Sequence, residues 1–313
     1  MIAIVIPNRS DLRVRKLFQS LLDAQLEQYT EKIKVVISLN QPTPEAKELV
    51  LELSKEYPKL IKIIITKEKG IAHAKNNAIR HLIEISDYFV FIDSDCTVRS
   101  DYLQKLAHYT REKPMAMRGY INFIPRQNSY LSRQNSRVRN STNFLYPEAF
   151  FTPNLLLSKH VFEKVGLYDT RIKYGDDLEF GQRAKIMGFQ INFKNDLIVD
   201  HYDNPSFLKK TLRTWWGYGA DRGFRLVREM RLSQCGLLSK LKLIFEFKKY
   251  WFTSRVDDFL FSTFYLVVAR TSALVSVIKL QRKPDEYFTS YPTLTGIKTL
   301  GTIIRNQTTR DTK

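Results

Sequence analysis

Tyr88-Phe89-Val90-Phe91-Ile92-Asp93-Ser94-Asp95-Cys96-Thr97 is the stretch whose reading decides the fold. Five aromatic or aliphatic residues in a row describe a strand buried on both faces, as inside a parallel sheet. A charged group has no place within such a strand, so Asp93 and Asp95 belong at its carboxyl end, where the chain leaves the sheet. Open α/β sheets bind ligands at that edge. Carboxylates at i and i+2 in a turn can face one point, where they repel each other unless a cation or an array of donors compensates. Hard divalent cations take oxygen ligands of this kind. Two solvated acids in a strand-end turn fit the same three residues, so the surrounding chain has to decide.

Working back from that strand, the residue types alternate. Ile2–Ile6, Lys34–Ile37 and Ile61–Ile65 are short apolar runs. Between them lie helical patterns: Leu17, Phe18, Leu21, Leu22 and Leu26 behind a capping Ser10; Ala46, Leu49, Val50 and Leu53 behind Thr43-Pro44; and Ile71, Ala74, Ala78 and Leu82. Thr or Ser before a helix and Pro at its first position are start signals. The β-α-β-α-β-α-β order predicts an α/β fold, a mostly parallel central sheet with helices on its faces. Pro7-Asn8-Arg9-Ser10 follows the first strand where a dinucleotide fold would place Gly-x-Gly-x-x-Gly, and no Gly-Lys-Ser/Thr loop occurs. Both absences count against dinucleotide oxidoreductases and phosphate-loop enzymes.

Past residue 112 the pattern loosens. Met115–Phe123 reads as a strand. Arg126–Asn140 carries Arg126, Arg133, Arg137 and Arg139 without an acid and reads as a mobile basic loop, either a solvated insertion or a substrate cover. Ser158–Val165 is a short helix. Tyr174–Arg183 enters another, with Asp176, Asp177 and Glu179 crowded at its start. Carboxylates suit a helix N-terminus electrostatically, yet three exceed what a cap requires, and a carboxylate at a pocket mouth can act as a general base. Gln190–Val199 reads as a strand ending in Asp200-His201, and His201 is either an imidazole ligand or a structural histidine.

The 313 residues hold one large domain or a domain with an appendage, and the two cysteines, Cys96 and Cys235, form neither a disulfide framework nor a zinc spacing. No window offers about 18 apolar residues without a charge, so no membrane span is expected. The net charge is +18, and residues 206–313 hold 20 Lys and Arg against 8 Asp and Glu. A field of that sign attracts polyanions or anionic lipid. From residue 206 the chain reads as helical, over about 206–230 and 237–281. The expected division is therefore a domain over 1–205 and a basic, mainly helical region over 206–313. Trp215, Trp216 and Tyr218 precede Arg222, Arg225, Arg228 and Arg231, a pattern that fits either an interface with lipid headgroups or helices packed on the core.

The ordered motifs of residues 1–203 resemble those of the inverting family 2 glycosyltransferases of GT-A (nucleotide-diphospho-sugar transferase) fold. Val5-Ile6-Pro7-Asn8-Arg9-Ser10 stands where the family has V-I-P-x-x-N, and Gly70 to Ala78 where it has G-x-x-x-A-R-N-x-G. Asp93-Ser94-Asp95 supplies Asp-x-Asp. Asn154 through Val161 to Asp169 follows N-x-x-x-x-R-x-x-F-x-x-V-G-x-F-D, and Gly175 to Arg183 follows G-E-D-x-D-L-x-x-R.

The resemblance implies a divalent metal, Mn²⁺ or Mg²⁺, on Asp95 with Asp93 and His201, and Asp177 as the catalytic base. It implies donor contacts at Pro7, Asn8, Arg9, Asn40, Lys75, Asn76, Asp93 and Ser94, with Lys75 either holding phosphate or locking the acids, and acceptor contacts at Asp176 and Glu179. Trp215 and Trp216, beyond the stretch the resemblance covers, are expected to contact the acceptor. Arg183 is expected in a salt bridge. Departures matter: the acidic turn after the second strand is Ser38-Leu39-Asn40-Gln41, where Asn40 can still pair with a pyrimidine edge, so a UDP-sugar donor is only weakly favoured, and Lys75 replaces an arginine, losing the bidentate fork. The Gln-x-x-Arg-Trp motif of processive synthases is absent, so one or a few sugars would be added to a glycan or lipid-linked glycan. The expected setting is cytoplasmic, peripheral to an anionic membrane surface, with no nucleic acid bound. A basic nucleic-acid-binding protein and a sugar-nucleotide pyrophosphorylase are the competing readings; the first lacks a motif, the second a Gly-rich loop after the first strand.

Overall fold

The computed structural model describes residues 1–203, 208–233, 256–284, 287 and 290–299. Its main sheet contains β1 (Ile2–Asn8), β2 (Ile33–Asn40), β3 (Ile61–Thr66), β4 (Tyr88–Phe91), β5 (Cys96–Val98), β6 (Ala116–Pro125), β7 (Leu155–Ser158) and β8 (Asn192–Asp203). The strands lie in the order β3-β2-β1-β4-β7-β6-β8-β5. The first four are parallel, β7 runs antiparallel between β4 and β6, and β8 is parallel to β6.

All seven residues of β1 are buried, as an unbroken apolar run dictates. Alternate side chains feed two cores. Ile4, Ile6, Val35, Ile37 and Val90 pack on Leu17, Phe18 and Leu21 of α1 (Val14–Asp23), Val50 of α2 (Pro44–Glu56) and Leu103 of α4 (Tyr102–Thr110). Val5, Val36, Phe89 and Phe91 pack on Ala78 and Ile79 of α3 (Ile71–Leu82), Phe162 of α6 (Lys159–Val165) and Phe180 of α7 (Asp176–Ile186). Each such large side chain contributes about 1.5–3 kcal/mol when fully buried.

Two local expectations are corrected. The basic loop is a helix, α5 (Tyr130–Leu145), whose Ser129 hydroxyl accepts from the Ser132 amide. Its buried residues are Ser132, Gln134, Ser136 and Asn143, so it has no apolar period to read. Ser10 does not cap α1; the Asp11 carboxylate accepts from the Arg13 amide instead.

Beyond β8 the described residues form α8 (Leu208–Ser233), α9 (Val256–Leu280) and a hairpin of β9 (Ser290–Pro292) with β10 (Ile297–Thr299). The expected boundary at Asn204-Pro205 lies outside the described residues, as does Cys235. Gly219 meets Ala269 and Ser272, and Gly223 meets Ala273 and Ser276. The contacts rise together, so α8 and α9 run side by side in the same direction. The Ser272 and Ser276 hydroxyls donate to the Trp216 and Ala220 carbonyls. The far end of the chain returns to the core: the Leu167 amide donates to the Pro292 carbonyl at 2.8 Å.

A Cβ on Gly219 would lie 2.1 Å from the Ala269 carbonyl oxygen. Alanine is the better helix former by about 1 kcal/mol, yet Gly219→Ala is expected to destabilise the protein by about 1–3 kcal/mol through overpacking. Urea unfolding measures this, and unchanged or raised stability would contradict the close pairing of α8 and α9.

Candidate active site

The acids of the opening stretch meet a histidine because of strand register. β5 pairs antiparallel with β8, setting Cys96 opposite His201 and Thr97 opposite Asp200. The Tyr202 amide also donates to the Asp95 carbonyl at 3.1 Å. His201 Nε2 therefore lies 3.4 Å from Asp95 Oδ1 and 3.7 Å from Asp93 Oδ2. The ring stacks near Phe123 of β6, its register partner, with centroids 5.1 Å apart. Burial works to raise Asp93, but His201, with Lys75 and Arg139 behind it, outweighs burial and holds the carboxyl below its usual range. Asp95 is raised, by burial first and also by the charge of Asp93, with His201 and Arg13 opposing.

Cys96 Sγ, a carboxylate oxygen of Asp95 and a ring nitrogen of His201 all lie within 4.8 Å of one another. Burial and the two nearby carboxylates push the Cys96 thiol well up, and hard divalent cations take oxygen in preference to sulfur. Two carboxylates and an imidazole remain, a donor set that fits Mn²⁺ or Mg²⁺ by its oxygens and Mn²⁺ by its nitrogen.

Arg13, which sequence reasoning passed over, closes this side. Its guanidinium grips Asp11, donates to the Tyr202 carbonyl at 2.8 Å and reaches Asp95 at 3.4 Å. Its signal was the Asp11-Leu12-Arg13 pair just after the first strand. Arg139 of α5 stacks 3.9 Å over the Phe123 ring, beside His201.

The second half of the site is the start of α7. Gly175 precedes it with φ 75°, a left-handed conformation that favours glycine. A Cβ there would meet nothing nearer than Leu178 at 3.5 Å, so conformation and not crowding calls for glycine. Three acids follow with three fates. Asp176 is buried and pairs with Lys75 Nζ at 2.6 Å. Glu179 is fully buried, gripped by Arg183 at 2.6 Å and 2.8 Å and by Arg228 of α8.

Asp177 is half-buried. It accepts the Leu178 amide at 2.8 Å and the Thr152 amide at 3.3 Å. Burial, then the charge of Asp176, pushes the Asp177 carboxyl up to about 6. Lys75 counteracts at both Asp93 and Asp177, so its charge links the two halves. Thr152 also lies just ahead of Leu155, the register partner of Phe91, beside the turn that carries Asp93.

Several expected contacts are used internally instead. Lys75 is fully buried, with its ammonium 4.1 Å over the Tyr168 ring, and cannot meet a donor phosphate as placed. Asn76 spends both ends of its amide on the Tyr168 backbone, at 2.8 Å and 2.9 Å. Asn40 holds the turn before α3 through the Gly70 amide and the Glu68 carbonyl, so it does not offer its amide to a base. Asn8 closes its own turn onto the backbone of Asp11, and Pro7 is buried in β1. Arg9 is exposed and Ser94 half-buried at the sheet edge.

For the acceptor, Asp176 and Glu179 are withdrawn into ion pairs, and Trp215 is buried against Phe261, Phe264 and Tyr265 of α9. Trp216 stays exposed. Arg183 forms its expected salt bridge and also donates to the Val165 and Leu167 carbonyls.

α8 supplies Asp221, which the sequence did not single out, and Arg225, which it marked only as part of a basic pattern. Asp221 accepts from the Tyr174 amide, and burial pushes its carboxyl up to about 6. Arg225 is close enough for Asp177 and Asp221 to act on it, although burial lowers its pKa. An acid within a basic stretch was the available signal for Asp221.

Residues 2–166 match the family described as glycosyl transferase family 2. Glycosyltransferase AglE of Haloferax volcanii is 24% identical over 194 residues, 59% of this chain and 62% of that protein. The chain thus spans less than two thirds of that relative. Mannosyltransferase PcManGT from Pyrobaculum calidifontis, solved in complex with GDP-Man and Mn²⁺, aligns with a TM-score of 0.55 and 14% identity over 90% of this chain and 75% of its own. S. aureus TarS 1–349, in complex with UDP-GlcNAc, aligns with a TM-score of 0.54 and 15% identity over 88% of this chain and 81% of its own. At these identities the likeness establishes the fold, which is GT-A with a C-terminal helical extension. The sequence match covers more than half of the residues, and the chain belongs to glycosyl transferase family 2.

Proposed function

We propose that this chain is a metal-dependent, inverting glycosyltransferase. It moves one sugar from a nucleotide-sugar donor to a hydroxyl of a glycan acceptor, lipid-linked, in surface polysaccharide or glycolipid assembly. The observation that carries the reading is the pairing of two unlike acid centres: Asp93, Asp95 and His201 on one side, and Asp177 with its carboxyl near pH 6 on the other. The two structural neighbours hold GDP-Man and UDP-GlcNAc. With Asn40 engaged on the Glu68–Gly70 turn, the expected preference for a UDP-sugar loses its residue.

Asp177 takes the proton of the acceptor hydroxyl as that oxygen attacks the anomeric carbon. The new C–O bond forms on the face opposite the bond to the diphosphate, which breaks with its electron pair going to the leaving group, so the configuration inverts. General-base assistance of this kind supplies about 10²–10⁴ in rate. A cation held by Asp93, Asp95 and His201 would neutralise the charge developing on the diphosphate. The Thr152 and Leu178 amides fix the direction of the Asp177 carboxylate before the substrate arrives.

A carboxyl of raised pKa is protonated, and so useless as a base, below that value. Transfer to acceptor, measured as kcat/KM, should therefore rise with pH through an apparent pKa of about 6 and then level off. Asp177→Asn should lower kcat by about 10²-fold or more and abolish that limb, while donor KM moves little. A profile flat across this range, or an active Asp177→Asn, would remove Asp177 from the role.

Asp95→Ala and His201→Ala should each weaken Mn²⁺ binding at least about tenfold by titration calorimetry, with the melting temperature held. Unaltered Mn²⁺ affinity in both would contradict the metal assignment.

A further inference from the structure

We propose that the outer face of α9 docks on the surface of an anionic phospholipid bilayer. Leu260, Phe264, Val267 and Ile278 are 61%, 48%, 53% and 58% exposed. With Thr271 and Leu274 between them, they recur at spacings of three and four, so they form one stripe. That stripe is about 27 Å long at 1.5 Å per residue. Scattered exposed apolar residues need no explanation, but a continuous stripe does.

The opposite face of α9 is occupied. Ala269, Ser272, Ala273 and Ser276 take Gly219 and Gly223 of α8. The stripe is therefore the side of the helix that α8 leaves open.

Charge selects the occupant. Exposed Lys279, Arg282 and Lys283 follow the end of the stripe, and exposed Lys209 and Arg213 stand at the start of α8. Residues 206–313 carry 20 bases against 8 acids. Asp257 and Asp258 precede the stripe, so the basic flank is its C-terminal one; an apolar helical stripe running into bases on a basic host is the pattern of an interfacial helix on anionic lipid, with each surface base adding about 1 kcal/mol. A second copy of the chain, at +18, would have to overcome that repulsion.

By length and composition alone, Thr263–Leu280 could cross a bilayer, contrary to the expectation from the sequence. Crossing would strip α8 from α9 and expose Arg270, which is buried. Lying on the surface keeps both in place.

The aromatic and arginine pattern of α8, read as either a lipid interface or helices packed on the core, divides between the two: Trp216 and Tyr218 are exposed. Trp215 and Arg228 of that pattern are buried, Arg228 in ion pairs with Asp169 and Glu179. The proposal deepens the reading of a lipid-linked acceptor and takes its purpose from it, but the binding can be tested without any acceptor.

The test is sedimentation of the full chain with vesicles of phosphatidylcholine, with and without phosphatidylglycerol, at low and high salt. Wild type should bind the mixed vesicles at low salt, and binding should fall at high salt. Leu260→Gln/Val267→Gln/Ile278→Gln should lower partitioning at least about tenfold. Lys279→Glu/Arg282→Glu/Lys283→Glu should lose the preference for phosphatidylglycerol. Because these side chains are exposed, donor hydrolysis and melting temperature should be those of wild type in both variants. Wild-type-like binding by the glutamine variant, or no wild-type binding at low salt, would overturn the proposal. So would a wild type that is dimeric and does not bind, with a monomeric glutamine variant, which would assign the face to a second copy. Loss of binding with donor hydrolysis intact supports the surface. Absence of donor turnover in wild type would sink the enzyme reading alone.

Discussion

The pairing of Cys96 with His201 is the contact on which the site depends. Asp93 and Asp95 leave the sheet at the end of β4, where their charges alone would drive them apart. The antiparallel β5–β8 pair puts an imidazole within 3.4 Å of one and 3.7 Å of the other. Arg13 ties the same strand end back to the loop after β1. A shift of one residue in the β5–β8 register would turn His201 to the other face and leave the two acids without their partner.

At α7 the chain uses one residue class for three purposes. Asp176 is matched by Lys75 and Glu179 by Arg183 and Arg228, each pair nearly free of water. Buried pairs of this kind cost desolvation and are costly to break from one side. Their product is position: they hold the first turn of α7 to α3 on one side and to α8 on the other. Asp177, between them, accepts the Thr152 and Leu178 amides, has its carboxyl pushed up to about 6, and acts on Arg225 of α8. The network extends through Arg228 to Asp169, which Arg171 also holds while its guanidinium reaches the Ser290 carbonyl. The C-terminal helices are thereby part of what positions Asp177.

The parallel half of the sheet was legible because its strands are continuous apolar runs and its helices have a clear period. Asp93, Asp95, Asp177 and His201 stood out for the same reason: charged residues where apolar patterns end. α5 was not legible, because the face it buries is Ser132, Gln134, Ser136 and Asn143. β5 is only three residues long and could not be seen apart from its pairing. Lys75, Asn76 and Glu179 occupy the motif positions the family resemblance marks, but which of them face a ligand and which stay inside depends on tertiary partners. Trp215, expected at the acceptor, is likewise turned inward: a Trp-Trp pair in a basic helix has the same pattern whether its outer face meets a ligand or its inner face meets α9. Asp221 comes near Asp176, and Arg225 near Asp177, only through the docking of α8, which no local pattern encodes.

The most direct measurement is anomalous diffraction at the manganese edge from crystals of the protein with Mn²⁺ and a nucleoside diphosphate. The account predicts one peak bonded to Asp95 and His201, with Asp93 in its coordination shell or on the nucleotide, and the Asp177 carboxylate free of metal and facing the open side. A peak on Asp176 and Asp177, or none beside Asp95 with the nucleotide bound, would contradict it.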